Sequence, residues 1–297
     1  MYRFKSLLLT LVLPVVLVVG MALLIRPSVA QPLDRVAAIP AALDQNSVAT
    51  VHTPAQGEAP ANGVYTLTVL HTNDFHSRVD QWQSSGAFCP ITGTGSTGCI
   101  AGSARLATKI NEIRSTISNV LLLDAGDQFQ GTLYYIQYKS DILTRTMNAL
   151  GYQAMAVGNH EFDSGPGELR KFIDGVTFPV LSANIDASAE VTLAGKIKRS
   201  TVITVGNEPI GIVGLTTKDT PALSSPGPNV IFNNEVTSLQ SEVNALQAQG
   251  INKIIGLTHT GYDVDISLAQ VITGVDVIVG GHTHSFLLHA RDFPGER

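Results

Sequence analysis

Val120-Leu121-Leu122-Leu123-Asp124-Ala125-Gly126-Asp127 decides the fold: a short apolar run of strand type ends abruptly in two carboxylates set around a glycine. The same arrangement recurs on both sides of it. Residues 66–70 lead into His71-Thr72-Asn73-Asp74-Phe75-His76, and residues 154–157 into Gly158-Asn159-His160-Glu161-Phe162-Asp163. Residues 254–257 lead into Thr258-His259-Thr260-Gly261, and residues 275–279 into Gly280-Gly281-His282-Thr283-His284. Further strand-like runs lie at 180–181 and 210–215. Between several runs the apolar residues switch to helical spacing, as at Leu106, Ile110, Ile113 and Ile117, and again at Leu239, Val243 and Leu246. Strands alternating with helices predict an α/β domain with helix-covered sheets. Residues 64–297 show no internal repeat and no second linker, and read as one domain.

In an α/β fold, ligands bind beyond the carboxyl ends of the strands, so five such loops could meet in one crevice despite their separation in sequence. Their inventory is His, Asp and Asn without cysteine. That set suits a divalent ion such as Zn²⁺ or Mn²⁺ and disfavours a closed thiolate site. One-residue spacing in Asp74-x-His76 and His282-x-His284 lets each pair point the same way from a short extended segment. Taken singly, each element also has a plainer reading. Asp127 could cap a helix, Gly158-Asn159-His160-Glu161 could be a tight turn, and His259 could be a satisfied core histidine. Five in order, each at a strand end, are poorly explained that way.

Of the 297 residues, 44% are apolar and 14% charged, enough for a sizeable core and against wholesale disorder. The net charge of −5 without a basic run gives no electrostatic basis for a nucleic-acid partner. Positive charge for an anionic substrate must then be local, and bound metal ions supply it. At the N-terminus, Arg3 and Lys5 precede an apolar stretch, followed by small residues at Ser28 and Ala30. Residues 1–30 therefore read as a secretory signal, cleaved after Ala30, or as an uncleaved membrane anchor, and both imply export. An exported chain is periplasmic, cell-surface or secreted, with a membrane contact only if that segment is kept. Residues 31–63, rich in Ala, Pro, Gln and Asn, read as a flexible linker. Cys89 and Cys99 flank a Gly/Ser/Thr-rich stretch; an oxidising compartment would join them in a disulfide, and a reducing one would leave two thiols.

Asp74-x-His76, Gly126-Asp127, Gly158-Asn159-His160-Glu161 and Gly281-His282-Thr283-His284 resemble the motif series of the calcineurin-like metallophosphoesterases. The longer runs 70–76, 124–132 and 158–163, with Leu181-Ser182-Ala183-Asn184-Ile185 and Gly211-Ile212-Val213-Gly214, resemble the 5′-nucleotidase branch of that family. The resemblance implies a metallophosphoesterase-type αββα sandwich, two mixed β-sheets flanked by helices. It also implies two divalent metal ions, Zn, Mn or similar. One would be held by Asp74, His76, Asp127 and His284, the other by Asp127, Asn159, His259 and His282, with Asp127 bridging. The implied reaction is release of phosphate from nucleoside 5′-monophosphates, or another small phosphoester, by a hydroxide that the two metals activate. His160 would stabilise developing charge or protonate the leaving oxygen, oriented by Asp163. Asp124 and Glu161 read as supporting or capping groups, His71 as pointing away, and His52 and His289 as carrying no motif. The branch also carries a C-terminal domain that stacks the base, whereas the chain stops at Arg297, soon after His284. A UDP-sugar diphosphatase, a 2′,3′-cyclic-nucleotide phosphodiesterase and a non-catalytic metal-binding fragment stay open beside the first reading.

Overall fold

A computed structural model describes residues 64–83, 89 and 98–292. The signal or anchor expected at 1–30, the linker at 31–63 and His52 lie outside the described residues, among which no helix is long and apolar enough to cross a membrane. In chain order the elements begin with β1 (Thr68–Thr72), β2 (Trp82–Gln83), β3 (Cys99–Ile100), α1 (Ser103–Thr116), β4 (Val120–Asp124), α2 (Leu133–Tyr138) and α3 (Ser140–Leu150). Next come β5 (Ala154–Ala156), α4 (Gly165–Gly175), β6 (Val180–Leu181), β7 (Ile185–Asp186), β8 (Ser200–Val205) and β9 (Glu208–Thr216). The rest are α5 (Thr220–Leu223), β10 (Ile231–Phe232), α6 (Glu235–Ala248), β11 (Ile254–His259), α7 (Tyr262–Val271) and β12 (Val277–Val279).

Two four-stranded sheets carry the fold. The first, in the order β1-β4-β5-β6, is parallel throughout. The second, in the order β12-β11-β9-β8, is parallel except for its antiparallel edge strand β8. One sheet is thus parallel and the other mixed, within the sandwich that the resemblance implied.

Between the sheets lie Leu121, Leu123, Ala154, Ala156 and Leu181 from the first, against Ile210, Ile212, Ile255 and Leu257 from the second. A separate apolar cluster joins the outer face of the first sheet to α1, α3 and α4, through Leu122, Met155, Ile110, Leu143, Met147, Leu169 and Phe172. A third joins the second sheet to α6 and α7 through Val213, Leu215, Leu239, Val243, Leu246 and Leu268. Strand residues alternate between the two faces, so Leu121 and Leu123 turn to the other sheet while Leu122 turns to the helices. Four layers, helix-sheet-sheet-helix, follow from that alternation.

The two sheets approach each other tightly where Gly214 of β9 meets the end of β6. A Cβ on Gly214 would lie 2.4 Å from the Leu181 carbonyl carbon and 2.5 Å from its oxygen. Backbone cannot yield there as a side chain can, and the Ala183 amide donates to the Gly214 carbonyl at 2.7 Å. Gly214→Ala should therefore destabilise the domain by roughly 1–3 kcal/mol, the usual range for overpacking, read as a lower urea midpoint. An unchanged midpoint would show that the sheets can part without penalty.

Away from the sandwich, Cys89 and Cys99 form a disulfide with their Cα atoms 6.0 Å apart, one of the two outcomes left open by the sequence.

Candidate metal centre

Parallel strands deliver their loops to one edge. Thr72 at the end of β1 pairs with Asp124 at the end of β4, and the pairing continues beyond both strands. The Ala125 amide donates to the Thr72 carbonyl at 2.8 Å, Asp74 to Gly126 at 2.9 Å, and His76 to Asp127 at 3.0 Å. In the second sheet His259 ends β11 opposite Thr216. The sheets are joined across the crevice where the His282 amide donates to both carboxylate oxygens of Asp74, at 3.1 and 3.0 Å.

Three groups of potential ligands result, each with its ligating atoms within 4.8 Å of one another: Asp74, His76 and His284; Asp127, His259 and His282; and His76, Asp127 and His160. Asn159 is buried beside them, and its backbone neighbour His160 donates its amide to Asp127 Oδ1 at 2.9 Å. Eight of the nine residues singled out from the sequence thus fall on this edge, and the ninth, Asp163, stands against His160. His284 is the most exposed of the nitrogen donors, yet its Nε2 lies 3.3 Å from Asp74 Oδ1 and 3.2 Å from His76 Nε2. His71 is exposed on β1 and His289 in the last described segment, and neither joins a group.

The one-residue spacings work differently from the expectation. Asp74 and His76 do not lie on an extended segment: their φ angles are 50° and 49°, and those of Asp127, His282 and His284 are 58°, 82° and 51°. Five of the seven proposed ligands thus occupy the left-handed region, at a cost on the order of 1 kcal/mol each. Successive bends, rather than strand alternation, turn both members of each pair into the crevice.

A divalent cation fits the chemistry of this donor set. His259 Nδ1 donates to the Ala125 carbonyl at 2.7 Å and His76 Nδ1 to the Phe129 carbonyl at 3.2 Å, leaving each Nε2 facing the centre. His259 Nε2 is buried and lies 3.0 Å from Asp127 Oδ2, but not at the angle of a hydrogen bond. Asn159 Oδ1 is likewise buried without a hydrogen-bond partner. Leaving such atoms unsatisfied costs about 1–3 kcal/mol each, and a shared cation would satisfy both. Burial lowers the His259 pKa, but the Asp127 carboxylate outweighs it and holds the imidazole up at about 9. Asp127, which burial alone would raise, is held down to about 2 by His259. A cation between the pair would take the place of that proton.

His160 faces the same crevice half-buried. Its Nδ1 donates to Asp163 Oδ2 at 2.6 Å, and its ring stands edge-on to His76 with centroids 5.2 Å apart. Burial alone would lower its pKa; Asp127 and Asp163 reverse the sign and raise it above the ordinary histidine value.

Behind these residues stand carboxylates that hold backbone. Glu161 is fully buried and accepts four amides: Asp127 at 3.0 Å and Gly158 at 2.7 Å on Oε2, Gln128 at 2.8 Å and Phe129 at 3.1 Å on Oε1. Burial pushes its carboxyl up to about 7, while the amides favour the ionised form. Asp124 accepts from the Thr72 hydroxyl, the Gln128 side chain and the Gly126 amide at 2.5, 2.7 and 3.0 Å. Two supporting residues carry no motif and were not foreseen. Asp265 accepts the hydroxyls of Thr258 and Thr260, on either side of His259, at 2.7 Å each. Ser224 donates to Asp163 Oδ1 at 2.7 Å. Asp265 follows His259 closely in an acidic first helical turn, a usable if weak signal; Ser224 sits in a Ser-Ser-Pro-Gly stretch that reads only as a turn.

Comparison with known proteins gives the family. The family model described as calcineurin-like phosphoesterase matches residues 67–286. The chain is 48% identical over 231 residues to the 5′-nucleotidase of Bos taurus, covering 77% of this chain and 40% of that protein. Among solved structures it resembles the 5′-nucleotidase precursor from Thermus thermophilus, with a TM-score of 0.69 and 43% identity over 78% of this chain and 44% of that one. It also resembles the NAD nucleotidase of Haemophilus influenzae, with a TM-score of 0.66 and 38% identity over 73% of this chain and 43% of that one. The chain spans less than half the length of each of these relatives.

Proposed function

The chain belongs to the calcineurin-like phosphoesterase family, and from that membership we propose that it is a metal-dependent phosphomonoesterase of 5′-nucleotidase type, acting on nucleoside 5′-monophosphates. The observation that carries the reading is the meeting of Asp74, His76, Asp127, His259, His282 and His284 where the two sheets end side by side, with buried, unpartnered atoms on His259 and Asn159 among them. Asp74, His76, Asp127 and His284 would hold one divalent ion, and Asp127, Asn159, His259 and His282 the other. When bound, two such ions supply Lewis acidity toward a water and toward the phosphate oxygens.

The chain's own groups do the rest. Asp127 shares one carboxylate between the two sets and keeps them adjacent, fixed by the His160 amide. Asn159 contributes a neutral amide oxygen, which keeps the centre positive toward a phosphate. His160, with Nδ1 committed to Asp163, presents Nε2 to the crevice and gives a proton to the departing ribose oxygen. Identity with 5′-nucleotidases supports a nucleotide substrate, and the disulfide supports an exported location.

Phosphate release from AMP and p-nitrophenyl phosphate by the full chain with Mn²⁺, before and after EDTA, tests this. Hydrolysis should fall to background with EDTA and return with excess Mn²⁺. UDP-glucose and 2′,3′-cyclic AMP in parallel report the substrate class; if either outran AMP, the nucleotidase assignment would fall. Absence of any hydrolysis by folded, metal-loaded protein would leave a metal-binding fragment.

A further inference from the structure

The His160–Asp163 pair is contributed wholly by the loop after β5, in the first sheet. What fixes it relative to ligands contributed by the second sheet is a hydroxyl on the other side of the crevice. Ser224 Oγ donates to Asp163 Oδ1 at 2.7 Å while Asp163 Oδ2 receives His160 Nδ1 at 2.6 Å, so both carboxylate oxygens are committed. Ser224 ends the single turn α5, its amide bonded to the Thr220 carbonyl at 2.9 Å. That turn is pinned in its turn: the Thr220 hydroxyl donates to the Thr217 carbonyl at 2.7 Å, and the Thr217 amide to the carbonyl of His259 at 2.9 Å. A continuous chain of hydrogen bonds and short backbone therefore runs from His259 to His160.

We propose that Ser224 is a positioning residue, which locks Asp163 and through it sets the reach of His160 over the metal centre. The proposal rests on the phosphomonoesterase reading for its kinetic consequence, but its geometry does not. Asp163 is partly exposed. Without the Ser224 hydroxyl, one of its oxygens turns to water and the carboxylate is free to swing. Metal ligation is untouched, because Ser224 meets none of the ligands directly.

The test compares Ser224→Ala and Ser224→Thr in the full chain loaded with Mn²⁺, with AMP as substrate, alone and combined with Asp163→Ala. Ser224→Ala should lower kcat about three- to tenfold, the effect of one hydrogen bond of ordinary net strength felt through a partly exposed carboxylate, with KM and metal content unchanged. Ser224→Thr should restore most of the rate. In the Asp163→Ala background, Ser224→Ala should have no further effect. A full kcat in Ser224→Ala, or an equal loss in both backgrounds, would overturn the proposal. A wild-type chain that hydrolyses nothing would fail the functional reading instead, and proton NMR of the His160 Nδ1–H, on protein carrying diamagnetic Zn²⁺ in place of Mn²⁺, then decides. That resonance should be strongly downfield in wild type and Ser224→Thr and shifted or broadened in Ser224→Ala; no change in Ser224→Ala overturns the positioning role.

Discussion

His160→Ala should lower kcat for AMP by about 10²–10⁴-fold, the range for loss of a positioned general acid, and leave KM within a few-fold of wild type. The imidazole is anchored at one nitrogen only. Its Nδ1 is bonded to Asp163, and its Nε2 stands 3.9 Å from Asp127 Oδ2, at the crevice rather than within a closed hydrogen bond. Truncation removes that nitrogen but keeps the backbone amide, which donates to Asp127 Oδ1 in any residue except proline. The Asp127 carboxylate should therefore stay in place, and if it bridges two ions as proposed, metal content measured on the purified variant should remain at two. Steady-state kinetics and metal analysis on one preparation separate the alternatives. Because His160 also lies within ligating distance of His76 and Asp127, a fall to one ion would mark it as a ligand. A kcat within twofold of wild type would remove it from the chemistry.

Glu161→Gln should cost more in stability than any other single substitution at this edge. The two residues are nearly the same size, so packing is not the issue. All four groups that meet the Glu161 carboxylate are amide N–H donors, two to each oxygen. A glutamine must turn its NH₂ toward two of them, replacing two attractive contacts by donor against donor in a site closed to water. Hydrogen bonds to a charged acceptor contribute about 1.5–3 kcal/mol each, and buried donors left without partners cost about 1–3 kcal/mol. A loss of at least about 3 kcal/mol is expected in urea unfolding. Those amides belong to the segments that carry Asp127 and Asn159, so weaker metal retention on dialysis should accompany it. A variant of wild-type stability and metal content would mean that Glu161 is already protonated in the fold.

Much of this centre was legible before any coordinates. The strands of the candidate edge announce themselves because their apolar runs stop at charged or glycine-rich loops, and β4, β5 and β11 begin at the residues where those runs begin. Residues beyond the strand ends could be gathered into one site because parallel strands share a carboxyl edge. The edge strand β8 escaped, since it alternates polar and apolar residues with only one side covered. Its signal was nonetheless there: Gly206-Asn207, at φ 54° and 70°, is the kind of two-residue loop that closes a hairpin. How the ligand pairs converge could not be read, because left-handed backbone at Asp74 or His282 is imposed by the surrounding loops rather than by local preference. Ser224 was out of reach for a different reason. A serine among turn residues acquires its meaning only from the carboxylate 61 positions away that tertiary packing brings to it.

The His282 amide closes on Asp74 across 208 positions of chain. On a ribosome, Asp74, His76, Asp127 and Asn159 all emerge early, with every donor of the second sheet still to be made. As proposed, either ion would find its full set of ligands only once residues 282–284 had been released. Metal capture would then wait for the second sheet, and a chain arrested before residue 282 would have donors exposed for adventitious cations but no centre to hold them.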